Sequence, residues 1–574
     1  MMRNSSLDRG QARAPDGMTQ ASAGVEQRRL AARSRIVMAA FVLCFAIIAV
    51  RVGIVSIWPS TAPVSRKADN RAATFPRPDI VDRNGVVLAS DVKIASVYAD
   101  PRKIIDIDEA IELLTANLPG LGAQDLRAKF TSKRAFVWIK REVTPRQQAT
   151  IHNLGIPGIG FRDETLRVYP NGRAAAHVLG HVDVDSRGLA GIEKFLDGQG
   201  QLYVASLAQT EAIASAPVQL SLDIRVQHAL LDELDTAMKR FQAIGAGGVV
   251  LDVHTGEVVA MVSLPDYNPN VPESSLDKTR INRLTAGVYE LGSTFKAITF
   301  AMALDAGVTS LKSSYDARAP IKAGSFRIDD FHAKRRVLTM PEVFIYSSNI
   351  GTAKMALDVG LDGHKAFLAK LGFLDRLRTE LPENAAPLVP RNWTKISSMT
   401  IGFGHGLSVS PFHLAAAGVA LVNGGNLITP TFLVRDATVA ATQAVRVIKP
   451  ETSRIIRELM MLNVSDGTAT KAGVDGYAVG GKTGSAEKVV NGRYAKNALL
   501  TSFLGMFPGN DPRYVVLVML DEPKAAEGTH GYKTSGWNAV PTAGRVIERI
   551  APILGIAPQS QPTTQKGRQA LNQP

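Results

Sequence analysis

The sequence predicts an α+β fold in which helices pack against an antiparallel sheet, preceded by a smaller mixed α/β region and one N-terminal membrane-spanning helix. Three observations lead there. Residues 36–58 are almost uninterruptedly apolar. From 59 to about 215, short strand-like and helix-like stretches alternate without one dominant period. Beyond Pro217 the order is strand and hairpin first, a long helical middle, then antiparallel strands and a closing helix, as in α+β layer structures.

The apolar run reads "IVMAAFVLCFAIIAVRVGIVSIW" and carries one charge, Arg51. At about 1.5 Å per residue it is long enough to span a hydrocarbon core of roughly 30 Å. Residues 1–35 hold seven Arg against Asp8, Asp16 and Glu26, so they are expected to stay cytoplasmic and the remainder to be exported. A cleaved signal peptide is the rival reading, because the run before Arg51 is short. Hydrophobicity resumes after Arg51, the basic leader is long and no A-x-A site follows, which favours an uncleaved anchor.

Residues from Pro59 to about Arg71 suit a juxtamembrane linker. In "RPDIVDRNGVVLASDVKIASVYADP", "DRNG" signals a turn, with strands at "VVLA" and "IASVYA". Amphipathic helical stretches such as "TPRQQATIHNL" follow, then "RVYPNGRAAAHVLGHVDVDSRGLAGIEKFLDGQ", a mixture of turns, helix and strand. The region lacks a dense group of reactive side chains, which fits a spacer or docking module.

The next segment, "VQLSLDIRVQHALLDELDTAMKRF", predicts a strand and then a helix capped by Ser221 or Asp223. "GAGGVVLDVHTGEVVAMVS" predicts a hairpin turning at "DVHTGE". The last strands are "GYAVGGKTGSAEKVV", "LLTSFLGMFP" and "RYVVLVMLDEP", with a helix from about Ala539 to Ile550. The polar residues 556–574 read as a disordered tail. The organisation expected is thus a cytoplasmic tail (1–35), an anchor (36–58), a first exported region (59–215), a main domain (216–555) and the tail (556–574).

Net charge is +14, but Lys and Arg are spread along the chain and no nucleic-acid motif accompanies them, so nucleic-acid binding is not expected. The only cysteine, Cys44, lies in the apolar run. An exported domain without cysteine has neither disulfides nor thiol chemistry.

A nucleophile in such a domain must come from elsewhere. "YELGSTFK" (289–296) sets Ser293 and Lys296 three apart, on one face of a helix start. A buried Lys can serve as base when burial or a second cation lowers its pKa, and Gly292 leaves room for a carbonyl. Four S-x-x-K matches occur, at Ser90, Ser275, Ser293 and Ser485, so this pattern alone carries little. Two downstream stretches single out one copy. "YSSNIG" offers Ser347 and Asn349, a hydroxyl to relay a proton and an amide to grip one. "GGKTGSAEK" offers Lys482, Thr483 and Ser485 on a strand, a cation and hydroxyls suited to a carboxylate. Gly484 removes a side chain where a substrate backbone would lie.

These three motifs, in this order, are the signature set of penicillin-binding proteins and class A β-lactamases. From Arg77 onward the chain resembles the class B penicillin-binding proteins, in particular the septal, cell-division transpeptidases of the penicillin-binding protein 3 type. The further matches are "DRNGVVLA", "RVYPNGRAAAHVLGHVD", "GLAGIE", "GFGHGLSVSPFHLAAAGVALVNGG" and "DEPK". It departs from that pattern at Pro78 in place of Gly, Leu291 in place of Pro, and Ser485 where Thr is commoner.

The resemblance implies a penicillin-recognising serine transpeptidase fold at 216–555, with helices on both sides of the sheet. It also implies a non-catalytic, dimerisation-type pedestal at 59–215 and a single-pass inner-membrane protein at the division septum. It implies peptidoglycan stem peptides ending in D-Ala-D-Ala as substrate, and β-lactams as inhibitors. The implied partners are a membrane glycosyltransferase of the shape, elongation, division and sporulation class and other division proteins. Ser293 would be the nucleophile and Lys296 its base, with Ser347 and Lys482 passing a proton to the leaving amine. Asn349, Thr483, Gly484 and Ser485 would bind substrate, and the N–H groups of Ser293 and Ser485 would form the oxyanion hole. No cofactor and no metal are called for.

Competing readings are a carboxypeptidase, an elongation-specific transpeptidase, a β-lactamase, a β-lactam sensor and a catalytically idle division scaffold. An idle scaffold should have lost a motif residue, and none is lost. His405 in "GFGHG" is a candidate for the cleft edge. His530 reads as structural, Tyr289 as core, and Glu290 and Asp330 as solvated or paired.

Overall fold

The computed structural model describes residues 38–39, 41–50, 77–200, 216–323, 326–490 and 492–559. The expected tail 1–35, part of the expected span 36–58, most of the linker, and residues 560–574 lie outside the described residues. Residues 41–50 are helical and exposed, and no helix among the described residues is long and apolar enough to cross a membrane. The chain divides into two units, Met1–Phe75 and Pro76–Pro574. Both five-stranded sheets lie in the second.

The first sheet joins β1 (Ile80–Val81), β2 (Val87–Ala99), β3 (Val137–Val143), β4 (Ile159–Val168) and β5 (Val218–Gln219). β2 pairs antiparallel with β1, β3 and β4, and β1 pairs parallel with β5. "DRNG" makes the expected turn. The Asp82 carboxylate accepts from the N–H groups of Asn84 and Val86, and Gly85 takes φ +83°. "VVLA" and "IASVYA", expected as separate strands, are one strand. The polar Ser90–Lys93 stretch between them keeps pairing with β4, from Ser90↔Val168 to Lys93↔Thr165, because strand pairing depends on the backbone and tolerates polar residues on the solvent side.

Helices Ile107–Asn117, Ala123–Phe130 and Pro145–Asn153 close a small separate core with β2 and β3, containing Leu114, Leu126, Phe130, Ile139 and Ile151. The last helix opens with a capping box between Thr144 and Gln147. At the base, "GLAGIE" meets "RVYP" and the start of the region. Glu193 is fully buried, accepting from Arg167 Nε at 2.7 Å and Arg77 Nε at 2.9 Å. Arg167 also donates to Asp91 and to the Pro78 carbonyl.

The second sheet begins after a strand-to-helix step. Helix α1 (Ile224–Arg240) is capped by Asp223, the second of the two expected candidates; Ser221 instead donates to the carbonyls of Val258 and Thr431. β6 (Gly245–Asp252) and β7 (Val258–Leu264) form the expected hairpin, with Asp252 accepting from the N–H groups of His254 and Thr255 in the turn. Then come α2 (Lys296–Asp305), α3 (Asn349–Val359), α4 (Pro411–Val422) and α5 (Pro450–Asp466), followed by β8 (Gly480–Val490), β9 (Arg493–Phe507), β10 (Tyr514–Asp521) and α6 (Ala539–Ile553). The strand order is β8-β9-β10-β6-β7, antiparallel throughout.

Helices cover both faces. Gly248 on β6 lies against Leu230 and Leu234 of α1, while Val515 on β10, paired with Leu251, lies against α4 at Gly418. Positions 248 and 251 on β6 point to opposite sides, because side chains alternate along a strand. α4 is buried along all its length, as its all-round apolar sequence requires. β8 is the edge strand nearest the helical middle, so one row of its backbone polar groups has no strand partner.

Candidate active site

The opening motif does not begin a regular helix. Gly292–Phe295 winds as one 3₁₀ turn, and α2 starts at Lys296. Two sequence-distant segments fix the turn. Tyr289 and Val409 exchange backbone hydrogen bonds at 2.9 and 3.0 Å, and Gly292 N–H donates to Gly404 O at 3.1 Å. A Cβ on Gly404, which has φ +89°, would stand 2.0 Å from Gly292 O. The "GFGHG" loop thus lies in backbone contact with the turn that carries Ser293.

From the other side the turn meets β8. A Cβ on Gly484 would stand 2.6 Å from Leu291 O and 2.8 Å from Thr294 Cγ2. The sequence reading gave the missing side chain at Gly484 to a substrate backbone; the structure gives that space to the turn Leu291–Thr294. The reason is close packing of backbone on backbone, which a glycine permits. Leu291 itself is buried with φ −91°, outside the range proline adopts.

Lys296 is fully buried. Its side chain turns to the loop ahead of α3, donating to Ser347 O at 2.5 Å, Ser347 Oγ at 3.0 Å and Asn349 Oδ1 at 2.8 Å. The i,i+3 partner expected from the sequence, Ser293, is not among the acceptors of these three bonds. Lys482, also fully buried, donates to the same Ser347 Oγ at 3.0 Å and lies 5.8 Å from the centroid of the Phe344 ring. Ser347 has φ +56°, a left-handed conformation uncommon for a non-glycine residue and found where surroundings over-determine it.

Two buried cations at one hydroxyl repel, and neither is exposed to solvent. Burial first, and the Lys482 charge second, hold the Lys296 amine well below the ordinary lysine range; the Asp330 carboxylate partly offsets them. Burial brings Lys482 down to about 7. A neutral amine near a serine hydroxyl is a general base, and its protonated neighbour is a proton donor.

On β8, Thr483 and Ser485 project from one face, two residues apart. Thr483 Oγ1 lies 2.8 Å from Thr468 Oγ1, and Ser485 Oγ accepts from Ser535 N–H at 3.0 Å. Thr468 is tied in turn to Asn463, which also donates to Gly481 O. Sequence reading missed Thr468, Asn463, Ser535 and Phe344, whose relation to the motifs exists only through the fold.

The remaining candidates are placed as follows. His405 packs between Phe403 and Tyr494, at 5.5 and 5.8 Å between ring centroids; burial, then the Lys296 charge, lowers its pKa to about 4. Glu290 is paired, accepting from Gly406 N–H at 2.8 Å and Tyr494 OH at 3.2 Å, and burial raises its pKa. Asp330 is paired too, with Ser348 and Ile350. Tyr289 is half-buried against the main core. His530 is exposed, edge-on to Trp537.

A serine turn, two buried lysines sharing a second serine, and an unpaired strand edge beside them form a site equipped for acyl transfer to serine. Residues 246–540 match the penicillin binding protein transpeptidase domain, and residues 73–199 match the penicillin-binding protein dimerisation domain. The chain belongs to the class B penicillin-binding proteins, of the penicillin-binding protein 3 type. Among its relatives are the probable peptidoglycan D,D-transpeptidase FtsI of Caulobacter vibrioides, 42% identical over 498 residues, covering 85% of this chain and 83% of the relative. The peptidoglycan D,D-transpeptidase FtsI of Escherichia coli is 30% identical over 520 residues, 86% of each chain. Stage V sporulation protein D of Bacillus subtilis is 30% identical over 564 residues, 92% of this chain and 86% of the relative.

Proposed function

We propose that the chain is a peptidoglycan D,D-transpeptidase that crosslinks stem peptides through an acyl-enzyme on Ser293 and is acylated there by β-lactams. One observation carries the assignment of roles: Lys296 and Lys482 converge on Ser347 Oγ beside the Ser293 turn. The relatives named D,D-transpeptidases support the reaction class.

A stem peptide ending in D-Ala-D-Ala adds along the free edge of β8, in the manner of strand addition. Its terminal carboxylate meets Thr483 and Ser485, and a preceding amide meets Asn349. Neutral Lys296 removes the Ser293 hydroxyl proton as Oγ attacks the penultimate carbonyl carbon. The oxyanion is received by the N–H groups of Ser293 and Ser485. Lys482 delivers a proton through Ser347 to the departing amine, the C–N bond breaks and D-Ala leaves. The amine of a second stem peptide then attacks the ester, forming the crosslink and releasing Ser293.

Labelled penicillin tests the assignment. The wild type takes up one label at Ser293, and Ser293→Ala takes up none; label retained by that variant overturns it.

The domain limits follow the sequence reading: tail 1–35, anchor 36–58, pedestal 59–215, transpeptidase 216–555 and tail 556–574. The single-pass anchor places the catalytic domain outside the cytoplasmic membrane, at the septum, beside a membrane glycosyltransferase of the shape, elongation, division and sporulation class. The apolar run and the seven leader arginines support this topology. Depletion distinguishes the septal role from elongation: filamentous cells support it, and round cells refute it.

A further inference from the structure

The loop that presents Ser347 and Asn349 is held by two consecutive aspartates that the reaction above does not use. The Asp330 carboxylate accepts from Ser348 Oγ at 2.8 Å and from Ile350 N–H at 2.9 Å, one bond to each oxygen. Asn349 Nδ2 donates to the Asp329 backbone carbonyl at 2.9 Å. Three consecutive residues after Ser347 are thus tied to one dipeptide on the preceding loop. Asp329 spends its own carboxylate on Arg327 and Arg335, which leaves Asp330 as the side chain that grips the loop.

The grip matters because of what the loop holds. Ser347 stands at φ +56°, and in that arrangement both its carbonyl and its hydroxyl accept from Lys296. Ser348 Oγ, besides donating to Asp330, caps α3 by accepting from Gly351 N–H at 3.0 Å. The start of α3, the left-handed residue and the shared hydroxyl are therefore fixed by one carboxylate.

We propose that Asp330 is a positioning residue for acyl transfer: its carboxylate locks Ser348 and Ile350 so that Ser347 Oγ stays shared between Lys296 and Lys482. The proposal rests on the transpeptidase reading above. Asp330 also acts through its charge. Among the described residues, the titratable groups facing Lys296 are Lys482 on β8, His405 in the glycine-rich loop and Asp330. Asp330 raises the Lys296 pKa against burial and Lys482. Removing its charge lowers that pKa further, so the neutral base persists to lower pH.

These two effects separate in one experiment on the full chain in detergent. Acylation by labelled penicillin is followed from pH 5 to 9 for the wild type, Asp330→Asn and Ser348→Ala, with the rate constant expressed per competent site and folding followed by near-UV circular dichroism. Asp330→Asn is expected to slow acylation about tenfold or more on the plateau and to move the acid limb to lower pH. Ser348→Ala removes a tie and keeps the charge, so it slows acylation with the limb unmoved. A merely structural role lowers the number of competent sites and leaves both rate constant and limb in place. Asp330→Asn within twofold of the wild type at every pH overturns the proposal. If that variant does not fold, an unchanged rate constant in Ser348→Ala overturns it. A wild type that takes up no label at Ser293 defeats the transpeptidase reading instead.

Discussion

Lys296 and Lys482 donate to one oxygen, Ser347 Oγ, each at 3.0 Å, and both side chains are withdrawn from solvent. A hydroxyl can accept two such bonds, but two neighbouring ammonium groups destabilise each other in a site of low dielectric. The lowered pKa of both amines allows one of the two to be neutral near pH 7, which relieves that repulsion. The consequences can be measured.

The first is a stability that depends on pH. Folded, Lys482 has a pKa of about 7 against an ordinary 10.5. Between those values the folded chain binds fewer protons than the unfolded one, so stability rises with pH. The penalty is complete below about pH 7 and fades toward pH 10. Lys482→Met is therefore expected to abolish acylation yet stabilise the domain by on the order of 1–3 kcal/mol at pH 6, with the gain vanishing near pH 10. Denaturant unfolding at the two pH values checks it.

Ser347 offers a second test, because its backbone conformation and its hydroxyl can be separated. Ser347→Ala and Ser347→Gly both remove the shared acceptor, and both should cut the acylation rate by about 10²–10⁴-fold. Glycine tolerates φ +56°, so Ser347→Gly should be more stable than Ser347→Ala by about 1 kcal/mol. Thermal unfolding of the two variants compares them directly.

Gly404 tests the contact behind Ser293, the proposed nucleophile. Its absent Cβ would stand 2.0 Å from Gly292 O, so Gly404→Ala must push the Ser293 turn out of place. A shift of about 1 Å at a reacting group is enough to cost roughly 10²-fold in acylation rate. Gly307 also has positive φ but faces open space. Gly307→Ala should cost about 1 kcal/mol of stability and leave the acylation rate unchanged.

Glu193 tests the pedestal independently of the chemistry. It is fully buried between Arg167 and Arg77. Glu193→Ala leaves two buried guanidinium groups without their shared partner and is expected to destabilise the fold by about 3–5 kcal/mol. Acylation per folded molecule should not change. Thermal unfolding and labelling stoichiometry measure the two separately.

Much of the second sheet was legible because its signals are local. The hairpin at "DVHTGE", the Asp223 cap, the three late strands and the closing helix depend on alternation, turn chemistry and caps within a few residues. The misreading of "VVLA" and "IASVYA" as two strands has the opposite origin. The Ser90–Lys93 stretch looks like a loop by composition, and only its pairing with β4 makes it strand. At the site, Gly484 was legible as a close approach, but its partner was not: Leu291 and Thr294 reach it through the fold.

The sequence by itself determined the chemical inventory: a serine nucleophile candidate, two lysines, a second serine, an asparagine and a hydroxyl-lined strand, in an order specific enough to indicate acyl transfer. Their spacing along the chain could not determine which groups meet. Only the tertiary structure decided that Lys296 donates to the Ser347 loop, that Lys482 joins it there, and that Asp330 bonds the same loop. The physical reason is that a side chain's identity is local, whereas desolvation and hydrogen-bond geometry are set by elements far apart in sequence. Burial of both lysines, which lowers both pKa values so that one amine can be neutral near pH 7 and the other can give up its proton, is a property of the packed sheet and helices.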